Sequence, residues 1–256
     1  MAILGRTLQQ LRNRLSYAQW RWKIKRKVRQ YGPPILVYQM GKVGSESITA
    51  SIKNSVPNVC VHTHTFGDTP LAREILFTHA LQNQPLSVIS LVREPIGRNI
   101  SAFFQNFERE TGVAYDDSDL SIDALISTFL YKYPHDIPLR WFQRNIGQWL
   151  NIDVYSHPFP DDGIQFIEHG NTRLLVMRLT VPDEQKEDAI AELLGLDTFT
   201  ITRSNVGAEK PYAEAYSAFR DAFSAPEWMI RRLYDSTYFN HFYGDEEKAR
   251  LIQKWT

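Results

Sequence analysis

Apolar residues recur at Leu4, Leu8, Leu11 and Leu15, with Trp20, Trp22 and Ile24 continuing the run. That spacing follows one face of a helix and predicts a single helix over residues 4–30. Gly32, Pro33 and Pro34 then interrupt the chain, because neither residue type continues a helix well. They divide it into a leader, residues 1–31, and a body, residues 32–256. In the body the period changes. Residues 35–40 (Ile-Leu-Val-Tyr-Gln-Met) form a short apolar run, the pattern of a buried strand, and residues 45–54 read as a helix. A second strand is predicted over 59–65, a helix over 70–83, and a third strand over 86–92. The next helix opens at Pro95, a favoured first helical position. Helices follow over 121–132 and 138–150, then a strand over 172–179 and a helix over 183–194 closed near Gly195. Residues 108–123 are acidic and read as a loop. Strands alternating with helices predict an α/β fold of three layers, P-loop-type, with a central, mostly parallel β-sheet flanked by helices.

Charge sharpens the division. The chain of 256 residues carries 29 basic and 29 acidic side chains. Nine of the basic ones, and no acid, lie in residues 1–30, leaving 20 basic against 29 acidic in the rest. An acidic body argues against nucleic acid as a partner. The basic leader has two readings: an interfacial helix on an anionic membrane, or a helix whose apolar stripe packs on the body or on a protein. A single cysteine, Cys60, allows no internal disulfide and fits a reducing compartment. No run reaches the roughly 18 apolar residues of a membrane span, and residues 1–5 are too short for the apolar core of a signal peptide. The expected location is the cytoplasm, with a peripheral contact on the inner face of a membrane as the leader's option.

Two segments carry chemistry. The first follows the strand at 35–40: Gly41, Lys42, Val43, Gly44, Ser45, Glu46 and Ser47, then a helix. A turn that leaves a strand and opens a helix gathers backbone N–H groups around one spot, and the helix dipole adds positive potential. Lys42 adds a full charge, and Ser45 and Ser47 add hydroxyls. This suits a phosphate or sulfate, although the order differs from the nucleotide-triphosphatase loop G-x-x-x-x-G-K-[ST]. The second segment places Arg93 at the carboxyl end of a strand, where open α/β sheets bind ligands. Ser101 lies six residues into the following helix, roughly 9 Å along its axis. The plainer alternatives are an ordinary turn with an exposed lysine, and surface positions for Arg93, Arg98 and Ser101.

Together these segments resemble the sulfotransferases that use 3′-phosphoadenosine-5′-phosphosulfate (PAPS). In that family a K-x-G-[ST]-[ST] loop binds the 5′-phosphosulfate, and an Arg and a Ser eight residues apart bind the 3′-phosphate. Lys42, Val43, Gly44 and Ser45 match the loop, with Glu46 in place of the second hydroxyl. Arg93 and Ser101 match the pair. Residues 38–45 (Tyr-Gln-Met-Gly-Lys-Val-Gly-Ser), His62 and His64, residues 205–212 and residues 234–243 are similar to the capsular polysaccharide synthesis (NKWYS-type) group within this superfamily. Pro211 and Ala213 depart from that group's third motif. Leu179 and Thr180 replace the Tyr-Glu pair many sulfotransferases carry, so no acidic role is carried over there.

The resemblance implies transfer of a sulfuryl group from PAPS to a hydroxyl of an acceptor, expected to be a carbohydrate or polysaccharide, with 3′-phosphoadenosine-5′-phosphate as product and no metal. Such transfer needs a base within hydrogen-bond reach of the hydroxyl. His62 and His64 alternate along the second predicted strand and so face one side. His64, nearer the strand end, is the first choice and His62 the second; half-buried structural histidines are the plainer reading. Neither has a third ligand at zinc spacing. Lys42 is expected to stabilise charge on the leaving phosphate, and Ser45, Ser47 and the loop amides to hold it. Arg203 and Lys210 are expected to close over the nucleotide. Trp141, Phe142, Trp149, Tyr131 and Tyr133 are candidates for a sugar cleft or for core. Competing functions are a kinase-like phosphotransferase, which would need a Lys-[ST] pair for magnesium, and a non-catalytic adaptor in polysaccharide biosynthesis or at a membrane.

Overall fold

In chain order the elements are α1 (Ala2–Tyr31), β1 (Ile35–Tyr38), α2 (Ser45–Ser55), β2 (Cys60–Thr63), α3 (Pro70–Ile75), β3 (Leu86–Val92), α4 (Pro95–Gln105) and α5 (Phe107–Thr111). There follow α6 (Ile122–Lys132), α7 (Ile137–Phe142), α8 (Gln148–Leu150), β4 (Ile164–His169), β5 (Thr172–Arg178) and α9 (Asp183–Leu194). The chain ends in α10 (Ala213–Ala222), α11 (Glu227–Tyr234), α12 (Thr237–Phe242) and α13 (Asp245–Trp255). The computed structural model describes residues 2–112, 120–202 and 212–256, and their side chains from residue 15 onward.

Five strands form one sheet in the order β2-β1-β3-β5-β4. Four run parallel, and β4 pairs with β5 antiparallel. This is the predicted fold: a mostly parallel sheet with helices around it. Leu36, Val37, Val88, Ile89, Leu174 and Leu175 on the inner strands are fully buried, as both faces of a covered parallel sheet require. From β1 the chain steps outward to β2, then crosses back to β3 on the other side. The loops after β1 and β3 therefore flank a topological switch point, the crevice where such sheets bind ligands.

The structure adjusts several predicted boundaries. The predicted helix over 70–83 is α-helical through Ile75 and then widens into a π-type turn, Leu76–Ala80. The helix over 138–150 carries a similar π segment, Gln143–Gly147, between α7 and α8. Residues 108–111 of the predicted acidic loop are helical, within α5, and residues 122–123 open α6 behind the capping hydroxyl of Ser121. The antiparallel edge strand β4 was not predicted.

The leader forms the predicted helix and ends at Tyr31 before Gly32, whose φ of 95° only glycine adopts readily. It rests on the body by polar contacts. Arg21 Nε donates to Glu74 Oε1 of α3 at 2.6 Å and the Tyr17 hydroxyl to Glu74 Oε2 at 3.1 Å. Val28 packs against the core, while Leu15 and Trp22 remain exposed. Among the described residues no helix is long and apolar enough to cross a membrane.

Candidate nucleotide-binding and transfer site

The loop after β1 is bent by two residues in the left-handed region, Lys42 (φ 72°) and Gly44 (φ 87°). Gly44 opens α2 and, being glycine, offers its N-terminus no side-chain cap. Two arginines brace the loop from the side of α4. Arg98 Nε donates to the Gly41 carbonyl at 3.0 Å, and Arg93 Nη1 to the Lys42 carbonyl at 3.1 Å. A planar trans peptide sets its N–H opposite its C=O. Holding these two successive carbonyls on the arginine side therefore turns the N–H groups of Lys42 and Val43 away from the arginines. Val43 itself is fully buried and anchors the turn. Ser45 is buried at the first turn of α2, Glu46 is exposed and Ser47 half-buried.

Arg98, read from the sequence as a helix-face residue, is buried and central. Its Nη1 donates to the Asn99 side chain at 3.0 Å and to the Tyr133 hydroxyl at 2.9 Å. Burial depresses its pKa, against the pull of Tyr133, yet a guanidinium stays charged in protein. Arg93 is half-buried at the end of β3 and contacts the loop, not the helix it precedes. Its own backbone is pinned by the Tyr238 hydroxyl, which donates to the Arg93 carbonyl at 2.8 Å. The next residue, Glu94, caps α4 through the N–H groups of Ile96 and Gly97 and accepts from the Tyr234 hydroxyl at 3.1 Å. Burial raises the pKa of Glu94. Tyr234 and Tyr238, both fully buried, thus show what residues 234–243 do: they fix the turn that carries Arg93. Ser101 lies half-buried further along α4, and among the described residues no hydrogen bond joins it to Arg93. Arg203 and Lys210 lie outside the described residues, as does most of the segment 205–212.

The histidines lie on the other flank, at the end of β2. Their rings meet edge to face, 4.6 Å between centres, as alternation along a strand requires. They are not equivalent. The Nε2 of His62 is enclosed without a hydrogen-bond partner among the described residues, and burial, then the neighbouring His64, pushes its pKa down to about 4. His64 sits one residue past β2, with Nδ1 2.8 Å from the Gln39 carbonyl. A carbonyl only accepts, so Nδ1 carries the hydrogen and the neutral ring keeps its lone pair on Nε2. That atom faces the loop: a β-carbon on Gly41 would stand 3.8 Å from His64 Nε2 and 4.0 Å from Arg98 Nη2. The His64 backbone is held from both sides. Its N–H donates to Asp68 Oδ2 at 2.6 Å, and its carbonyl accepts from Trp141 Nε1 at 2.8 Å.

The sequence candidates Lys42, Val43, Gly44, Ser45, Arg93, His62 and His64 therefore gather at the ends of β1, β2 and β3. Gly41 packs directly against a guanidinium and an imidazole nitrogen able to accept: a β-carbon there would be in ordinary van der Waals contact with both. Lys42 and the two arginines concentrate positive charge around the loop, a setting that favours an anionic group. Sequence reasoning missed Arg98, Asp68, Trp141, Tyr234 and Tyr238 as supports. Of the proposed sugar-cleft aromatics, Trp141, Phe142 and Tyr133 are buried, Tyr131 is exposed, and Trp149 stacks on Phe66 with ring centres 3.8 Å apart. No group of three or more His, Cys, Asp or Glu side chains able to hold a metal occurs among the described residues.

A family model described as "Putative capsular polysaccharide synthesis protein" (NKWYS) matches residues 117–244. That half of the chain supplies Tyr133, Trp141, Tyr234 and Tyr238, whereas the loop, His64 and Arg93 precede it. No curated protein and no solved structure matches the chain.

Proposed function

The chain belongs to the NKWYS family of putative capsular polysaccharide synthesis proteins, and from that premise we propose that it is a sulfotransferase acting on a hydroxyl of a carbohydrate acceptor. PAPS, when bound, supplies the sulfuryl group and departs as 3′-phosphoadenosine-5′-phosphate. The observation that carries the reading is the juxtaposition at Gly41: a proton-accepting Nε2 of His64 beside an arginine-braced, amide-lined loop.

The chain's own groups have distinct tasks in this reading. Lys42, Ser45, Ser47 and the first amides of α2 offset negative charge at the loop, as donors aimed at developing charge do in group transfer. Arg93, with Ser101 beyond it, supplies the donors for a second phosphate. His64 Nε2 takes the proton from the acceptor hydroxyl, and its Nδ1–H bond to Gln39 stabilises the imidazolium that results. Trp141 and Asp68 hold that ring in place from its backbone. His62, neutral at physiological pH, packs against His64 and keeps its charge from being doubled nearby.

The test is a transfer assay with sulfur-labelled PAPS against a panel of polysaccharides, glycolipids and small alcohols. Label incorporated into a saccharide, and lost with His64→Ala, is the expected result. Nucleotide binding without transfer to any member, together with phosphoryl transfer from ATP–magnesium, would instead make the protein a kinase-like enzyme.

A further inference from the structure

Beside the transfer site the protein has a cavity of about 640 Å³, within the size range of small-molecule sites. It is bounded by the turn after β2 on one side and by α6, α7, the π segment and α11 on the other. Its link to the transfer site is direct. Thr65, next to His64, lines it. So does Trp141, whose indole N–H holds the His64 carbonyl, and Tyr133, whose hydroxyl holds Arg98. The cavity wall thus reaches the His64 backbone through Trp141, and Gly41 through Tyr133 and then Arg98.

The lining is strongly cationic, unlike the acidic body around it. Arg140, Arg144 and Arg232 face one acid, Asp136. Asp136 is already engaged: Arg232 Nε and Nη2 lie 2.6 Å from its two oxygens, and Arg140 Nη2 at 2.8 Å. Those bonds, above all with Arg232, keep its carboxyl below the usual range. Three guanidiniums against one carboxylate leave a surplus of two positive charges. Each guanidinium has five N–H donors, so Arg140 and Arg232 retain donors after binding Asp136. Arg144 has no ion pair with an acid among the described residues. Trp228, one turn before Arg232 on α11, also lines the cavity; it is 44% exposed, its ring edge-on to His135 at 5.9 Å. A half-exposed indole in one lining with three arginines offers an apolar plane for the C–H face of a sugar ring and forked donors for a carboxylate.

The geometry points to this cavity as the acceptor site, and to an acidic sugar, one bearing a carboxylate such as a hexuronic acid, as the acceptor class. The inference rests on the transfer reading for its purpose, but the binding it asserts does not require transfer. A neutral glycan would leave the surplus charge unanswered. A free anion without a ring would leave Trp228 unused.

The experiment titrates the full chain with an oligosaccharide of glucuronic acid, a glucose oligosaccharide of the same length, and inorganic phosphate, following tryptophan fluorescence. The acidic oligosaccharide is expected to bind, and Arg144→Glu to weaken it by about tenfold or more, since a hydrogen bond to a charged group is worth ~1.5–3 kcal/mol. Trp228→Ala is expected to weaken it too. Arg231→Glu, an equal charge change on an exposed neighbour outside the cavity, should have little effect. Equal binding of the acidic and neutral oligosaccharides, binding of phosphate as tight as the acidic sugar, or indifference to Arg144→Glu would overturn the assignment. Parallel titration with 3′-phosphoadenosine-5′-phosphate separates the two levels. Nucleotide binding without uronate binding sinks this inference alone; uronate binding without nucleotide binding sinks the transfer reading and leaves the acidic-sugar site standing.

Discussion

Gly44→Ala tests the loop at its most constrained point. Gly44 holds φ 87° and ψ 27°, a left-handed conformation that costs a residue with a β-carbon about 1–2 kcal/mol. The new methyl would also stand 2.8 Å from Leu179 Cδ1, well inside the ~3.5–4.0 Å of a favourable carbon contact. Leu179 is half-buried and the clashing atom is the tip of its side chain, so rotation relieves the contact at roughly 0.5–1.5 kcal/mol, the cost of an off-rotamer torsion. The sum is about 1.5–3.5 kcal/mol. Urea unfolding of the wild type, Gly44→Ala, Leu179→Ala and the double variant separates the parts. In the Leu179→Ala background the glycine change should cost only the backbone share, about 1–2 kcal/mol. Affinity for 3′-phosphoadenosine-5′-phosphate should fall in Gly44→Ala and stay low in the double variant, because the loop amides depend on the backbone and not on Leu179. A cost below ~0.5 kcal/mol in the wild-type background, or the same cost in both, would refute the left-handed, Leu179-packed loop.

His64→Ala should lower transfer by roughly 10²–10⁴ while nucleotide affinity is unchanged; single-turnover assays and titration check both, and near-normal turnover would remove His64 from the reaction. Arg98→Met leaves the Gly41 carbonyl, the Asn99 side chain and the Tyr133 hydroxyl without their donor, and should destabilise the protein by about 2–4 kcal/mol in urea unfolding, between the cost of one unsatisfied buried group and that of a broken buried pair. His62 has a folded pKa of about 4 against about 6.5 unfolded, so the unfolded chain takes up a proton first. Stability should therefore be intact above about pH 6.5 and fall as pH drops towards 4, and His62→Gln should flatten that part of the curve; an unchanged slope would contradict the enclosed neutral ring.

The parts of the fold carried by continuous apolar runs and strong punctuation were legible. Residues 86–92 are too apolar for anything but a buried element, and Pro95 marks where the next helix starts; Gly195 closes α9 in the left-handed conformation. The edge strand β4 escaped because only part of it is buried and its partner lies across the Gly170 turn. Lys42, Arg93 and His64 were legible because strand ends bring them together whatever the loops do. Arg98 was not, since nothing in its spacing distinguishes a helix-face arginine from one inserted between Gly41 and Tyr133. The His64 tautomer depends on a carbonyl contributed by a neighbouring strand. The arginine cavity joins residues near 140 to Arg232, and no local pattern marks that meeting.

Titration calorimetry with 3′-phosphoadenosine-5′-phosphate, adenosine 5′-monophosphate and ATP–magnesium probes the loop and Arg93 together. Saturable binding is expected of the bisphosphate, much weaker binding of the monophosphate, and loss of that difference in Arg93→Ala. Equal affinity of the wild type for the two adenosine nucleotides, or preference for ATP–magnesium, would contradict a pocket made for a 3′-phosphorylated donor.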